Sequence, residues 1–141
     1  MVGNIFVNLP VADVARTRDF FTGLGFAFNP QFSDDKALCM VLGEDKFVML
    51  LRRDFFATFT RKPIADAATS TEVLLALQLG SRDEVDAMME TALRLGGTEA
   101  RDPQDLGFMY SRAYQDPDGH IWEPFHMDPE QMPSDTTGGG P

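Results

Sequence analysis

One order of elements is written twice in this chain, and each copy is too short to bury a core alone. The first opens with IFVNLPV at residues 5–11, whose apolar content predicts a strand. Asp13 then stands in a helix N-cap position, and Val14, Thr17, Phe21 and Leu24 fall on one helical face. Gly23 and Gly25 end that helix, and a short Phe-rich strand follows. KALCMVLG and KFVMLLRR, joined by Gly43-Glu44-Asp45-Lys46, complete the unit as two further strands. The second copy keeps the order. VLLALQL (73–79) predicts a strand, and Ser81 with Glu84 forms a capping box for the next helix. Val85, Met88, Met89, Ala92 and Leu95 make that helix's buried stripe, and Gly96-Gly97 stops it. TEA predicts a short strand, PQDLG a turn, and FMYSRAY and IWEPFHM two strands around the DPDG hairpin at 116–119. Each half is strand, helix, strand, strand, strand. The fold class is therefore α+β, with two βαβββ modules pairing to close a shared core.

These boundaries give a single domain over residues 1–128: module one at 1–53, a linker at 54–71 and module two at 72–128. The linker contains Pro63 and many small residues, with room for one short helix; its Phe55, Phe56 and Phe59 share a helical face that either covers an opening or joins the core. Residues 129–141 have the composition of a disordered tail.

With 22 acidic against 12 basic residues, the formal charge of -10 argues against nucleic acid or an anionic membrane as partner. The N-terminus has no basic region, and no stretch approaches a membrane span, so a soluble cytoplasmic protein is expected. The single cysteine, Cys39, excludes an internal disulfide, and its apolar neighbours predict a packed small hydrophobe rather than a nucleophile. Twelve Phe and eight Met fit either a Phe- and Met-rich core or an apolar pocket.

The stretch NLPVADVARTRDFFTGLGF, with its Phe20-Phe21 pair and closing Leu24-Gly25-Phe26, resembles the strand–helix opening of the vicinal-oxygen-chelate superfamily: glyoxalase I, bleomycin- and fosfomycin-resistance proteins and extradiol dioxygenases. DPDGHIWE resembles the family's final hairpin, and the resemblance covers residues 4 to about 128. It implies a cup-shaped mixed sheet made by two modules, commonly within a homodimer. It also implies a divalent metal (nickel, zinc, iron or manganese) held by His, Gln or Glu and acting as a Lewis acid or oxygen-binding centre. Carried onto this chain, one ligand position is kept, Glu123 in the strand after the hairpin. The others fall at Phe6, seven residues before Asp13, at Leu74, seven before Ser81, and at Met49. Phe6 and Leu74 cannot donate an electron pair, and neither Met49 nor its immediate neighbours is a good ligand for these metals, so no metal or other cofactor is expected. Strand alternation sets His120 and His126 on the face opposite Glu123, so neither rescues the site. His120 is expected at the surface of the turn, and His126 to pack or face solvent.

The same alternation names a lining. Phe6, Asn8 and Pro10 share one face of the first strand, and Leu74, Ala76 and Gln78 share one face of its counterpart. The opposite residues are uniformly aliphatic and should pack on the helices. An apolar cup with Asn8, Gln78 and Glu123 as convergent polar groups has the make-up of a small-molecule site. Met49 and Phe125 join the lining, with Tyr110 and Arg112 at its rim. A carboxylate desolvated in such a cup suits a general base or acid, unless an arginine neutralises it for structure. The leading expectation is a metal-independent homodimer that binds or transforms a small organic molecule, with Glu123 catalytic. A metal-dependent lyase or dioxygenase, and a non-catalytic interaction module, remain open.

Overall fold

The first strand of each module lies parallel to the last, and this makes the two copies superimposable in topology. The computed structural model describes residues 1–131. Module one contains β1 (Ile5–Val11), α1 (Val14–Gly23), β2 (Ala27–Phe28), β3 (Ala37–Gly43), β4 (Lys46–Arg52) and a single-turn helix α2 (Arg53–Phe56). Module two contains β5 (Leu74–Gln78), α3 (Arg82–Arg94), β6 (Thr98–Asp105), β7 (Met109–Gln115) and β8 (Ile121–Met127). The strands form two four-stranded mixed sheets, ordered β1-β4-β3-β2 and β5-β8-β7-β6. No helix among the described residues is long and apolar enough to cross a membrane.

The caps are those read from the sequence. The Asp13 carboxylate accepts from the Arg16 N–H, and Ser81 Oγ accepts from the Glu84 N–H. Gly25 and Gly96 sit at φ 96° and 102° just past the two helices, a left-handed conformation that glycine adopts without a steric penalty. Alternation also holds: Leu9 and Val11 are buried while Phe6 and Asn8 are exposed, and Leu75 is buried between exposed Leu74 and Ala76. Leu95 departs from its expected place in the α3 stripe; it is 38% exposed and lies against Gly23 of the other module.

One core serves both modules. Leu9, Val11, Phe20, Phe21, Leu38, Met40, Val48 and Leu50 of module one cluster with Leu75, Met89, Ala92, Tyr114 and Trp122 of module two. The Phe21 ring lies 5.1 Å from the Trp122 ring, and Phe20 lies 6.1 Å from Tyr114. The resembling pair Phe20-Phe21 is thus the apolar joint between the halves.

Two local expectations are corrected. PQD is strand rather than turn: β6 runs unbroken from Thr98 to Asp105, with register shifts on both sides of Arg101 that accommodate Pro103 on an edge strand. The expected tail begins as a 3-10 turn at Pro129–Gln131, and residues 132–141 lie outside the described ones.

Candidate functional site

Each sheet has one face on the core and one face turned away from it, and the predicted site residues divide between the two outer faces. On the first sheet, Asn8 pairs in register with Met49, and Phe6 with Phe47, whose ring stacks on it at 4.7 Å. On the second, Ala76 pairs with Glu123, and Gln78 with Phe125. Phe6 is 46% exposed and Leu74 is 54% exposed, so both outer faces are open at these residues, while Ala37, Cys39 and Leu51 on the outer face of the first sheet are buried.

Glu123 has a partner that the sequence reading did not name. Arg101 of β6 reaches across β7, donating from Nη2 to Ser111 Oγ at 2.5 Å and to Glu123 Oε2 at 3.3 Å. The pair is half-buried, with side chains 35% and 19% exposed. It puts fixed positive and negative charge side by side on an otherwise apolar face. Arg101 escaped the sequence reading because the irregular register on both sides of it breaks the alternation that assigns faces. Asn8 uses its side-chain amide locally, donating to the Phe6 carbonyl at 3.3 Å.

Tyr110 and Arg112 are not rim residues of this face. Ser111 is opposite Phe125, so the residues flanking it point to the helix side of the sheet. There the Tyr110 hydroxyl donates to Asp86 of α3 at 2.6 Å, and Arg112 bridges Asp86 and Glu99 at 3.0 and 3.1 Å. Hydrogen bonding from Tyr110 holds the Asp86 carboxyl below its ordinary range. This network fastens α3 to its sheet. The linker aromatics also divide: Phe55 packs edge-on to Phe59 at 5.1 Å, and Phe56 lines a cavity beneath the linker.

The DPDG hairpin is a structural hub. Asp116 is buried, and its carboxylate accepts from the Asp118 and His120 main-chain N–H groups and from Trp122 Nε1–H. Burial pushes this carboxyl up, opposed by the nearby His120 and the Trp122 donor. Asp118 crosses to module one, where it accepts from the Ala12 N–H at 2.8 Å and from Arg16 at 3.2 Å. His120 is buried rather than at the surface; its Nε2 lies 2.6 Å from the Pro10 carbonyl, an acceptor, so Nε2 carries the proton. His126 packs as expected, with Nδ1 3.1 Å from the Leu79 carbonyl. Cys39 is buried, and burial pushes its thiol up, which leaves it protonated and unreactive.

Residues 4–43 match the family described as bleomycin resistance protein-like N-terminal. The structure superposes on that of a hypothetical protein from S. aureus with a TM-score of 0.76 at 24% identity, covering 89% of this chain and 95% of that one. A glyoxalase-related enzyme from Fulvimarina pelagi gives 0.74 at 20% identity, over 89% and 88% of the two chains. The fold is that of the vicinal-oxygen-chelate superfamily. The fosfomycin resistance protein FosX from Mesorhizobium loti shares it at 15% identity and a TM-score of 0.66, over 93% of this chain and 98% of its own. Comparison with curated proteins gives no match.

The vicinal-oxygen-chelate metal does not fit the residues present. Of the four positions that the resemblance implies, only Glu123 offers a hard oxygen or nitrogen donor, and its carboxylate already faces the Arg101 guanidinium. Among the described residues no three His, Cys, Asp or Glu side chains come together. The two histidines have ring nitrogens engaged by main-chain carbonyls, away from the outer faces.

Proposed function

We propose that this chain binds or transforms a small organic molecule without a resident metal, at a site formed between outer sheet faces of a homodimer. The observation that carries the reading is the composition of those faces. Phe6, Phe47, Met49, Leu74 and Phe125 supply apolar surface, and Arg101–Glu123 supplies one fixed polar anchor where the fold otherwise holds a metal. Exposed apolar side chains on two neighbouring sheets call for a cover, and a second copy provides the same faces by symmetry. Several proteins of the fold have names that refer to resistance against bleomycin or fosfomycin, which places small-molecule recognition within its range. In this reading Glu123 orients the ligand and exchanges a proton with it, and Arg101 holds the carboxylate in place.

The test combines assembly, metal content and one substitution. Sedimentation at micromolar concentration is expected to give a dimer, and elemental analysis after dialysis well under one equivalent of nickel, zinc, iron or manganese per chain. A stoichiometric metal that resists dialysis would instead favour a lyase or dioxygenase. Glu123→Gln should shift stability by no more than about 1 kcal/mol, because the ion pair is partly solvated. It should weaken binding of a ligand found by thermal-shift screening at least tenfold. A folded variant that binds normally removes Glu123 from the site.

A further inference from the structure

The main-chain groups of β1 alternate between the edge paired to β4 and a free edge turned toward module two. The Ile5 N–H donates to the Asp45 carbonyl at 3.1 Å, on the β4 side, so odd-numbered residues face the ladder and even-numbered ones face outward. Part of the outward series is used. The Phe6 carbonyl accepts from the Asn8 side chain, the Pro10 carbonyl from His120 Nε2, and the Ala12 N–H donates to Asp118. Proline has no N–H to satisfy. The Phe6 N–H and the Asn8 N–H and C=O are left over: among the described residues these three have no partner outside the ladder, alternation turns them away from it, and within β1 only Asn8 has both its donor and its acceptor free.

Those two groups border a cavity of about 430 Å³, within the size range of small-molecule sites. β1 forms one wall from Val7 to Pro10, the linker arches over it through Phe56, Ile64 and Val73, and Gly119–Ile121 close one end. The roof is pinned. The Gly119 main chain approaches the linker so closely that a Cβ there would lie 2.7 Å from the Ala67 carbonyl oxygen. The wall and roof are mainly aliphatic and aromatic, and Lys62 and Glu72 put opposite charges on the lining without forming an ion pair with each other. An apolar chamber with balanced charge excludes a strongly ionic guest, and an adjacent main-chain donor and acceptor recognise the complementary pair.

We infer that this cavity is a second binding site, for a neutral and mainly apolar small molecule carrying a lactam, whose cis N–H and C=O point to one side and pair with the Asn8 carbonyl and N–H. It is separate from the Arg101–Glu123 face and does not depend on the dimer.

Oxindole and 2-coumaranone are suitable probes, since the lactone keeps the fused ring and the carbonyl but has no N–H. Titrated into ¹⁵N-labelled protein, oxindole should give saturable shifts centred on the Asn8, Ile64 and Ala67 amides. It should bind about tenfold more tightly than the lactone, the worth of one hydrogen bond. Ile64→Trp, which fills the chamber, should abolish the shifts, with Thr71→Trp at the lining as the alternative if the first variant does not fold. Glu123→Gln should leave them unchanged. Equal affinity for lactam and lactone, shifts centred on Glu123 and Phe125, retained binding in the filled variant, or no saturable binding up to the solubility limit would each overturn the assignment.

Discussion

Module one and module two follow the same order of strands, yet they are held by different forces. In module one β3 is buried on both faces: Leu38, Cys39 and Met40 are at most 1% exposed, and Val48 and Leu50 beside them are fully buried. Its ion pairs, Lys46–Asp45 and Arg52–Asp54, join near neighbours in sequence on the surface. In module two none of the eight residues of β6 is buried, and the charged groups reach far along the chain. Arg82–Asp105, Arg112–Asp86, Arg112–Glu99 and Arg101–Glu123 tie α3 and the outer strands together across 13 to 26 residues. A βαβββ unit therefore specifies an arrangement of strands without specifying what stabilises it. The polar half is also the half that holds Glu123 and carries the hairpin hub.

The contrast predicts an order of sensitivity. Leu50→Ala opens a void in the shared core from the module-one side and should cost about 3 kcal/mol in chemical denaturation, the largest of these effects. Gly119→Val should follow at about 2 kcal/mol or more. Its φ of 91° is unfavourable for a β-branched residue, and the new Cβ meets the Ala67 carbonyl. A Gly119→Val protein as stable as the parent would mean the hairpin is not the joint between modules.

Removing one partner from the module-two network sharpens the comparison. Arg112→Met strips two carboxylates of a largely buried guanidinium and should cost about 1–2 kcal/mol, whereas Arg52→Met in module one should leave the thermal midpoint essentially unmoved. Equal effects at the two sites would erase the distinction. The smallest effect concerns pH. The Arg82 guanidinium and the Gly107 N–H hold the Asp105 carboxyl at about 2. Its folded value lies below the unfolded one, so any stabilisation it gives is present above the ordinary carboxylate range and is lost as pH falls toward 2. Carboxyl NMR titration should find the low midpoint in the parent and a return toward the ordinary range in Arg82→Met.

Much of the architecture was legible because it is written in local and periodic terms. The caps at Asp13 and Ser81, the glycine stops, and the period-two alternation of IFVNLPV and LLALQ depend on near neighbours, so they fixed elements and faces directly. The failures lie where that periodicity is interrupted. Two register shifts in β6 hid Arg101 from any parity argument, and with it the partner of Glu123. Tyr110 and Arg112 had the right parity with each other but the wrong face, because the pairing of β7 with β8 decides which parity sees Glu123. His120 looked like a turn residue; only the approach of module one, which brings the Pro10 carbonyl to its ring, buries it. The linker cavity has no sequence signature at all, since it exists where an irregular segment crosses a free strand edge. Sequence by itself determined the repeated order of elements, the faces of regular strands and the want of any donor atom in the Phe6 and Leu74 side chains, because side-chain chemistry and backbone period are local properties. The tertiary structure alone decided which charges meet, which edge stays unpaired and which histidine is buried, because those follow from how two halves more than a hundred residues apart at their contacts are packed together.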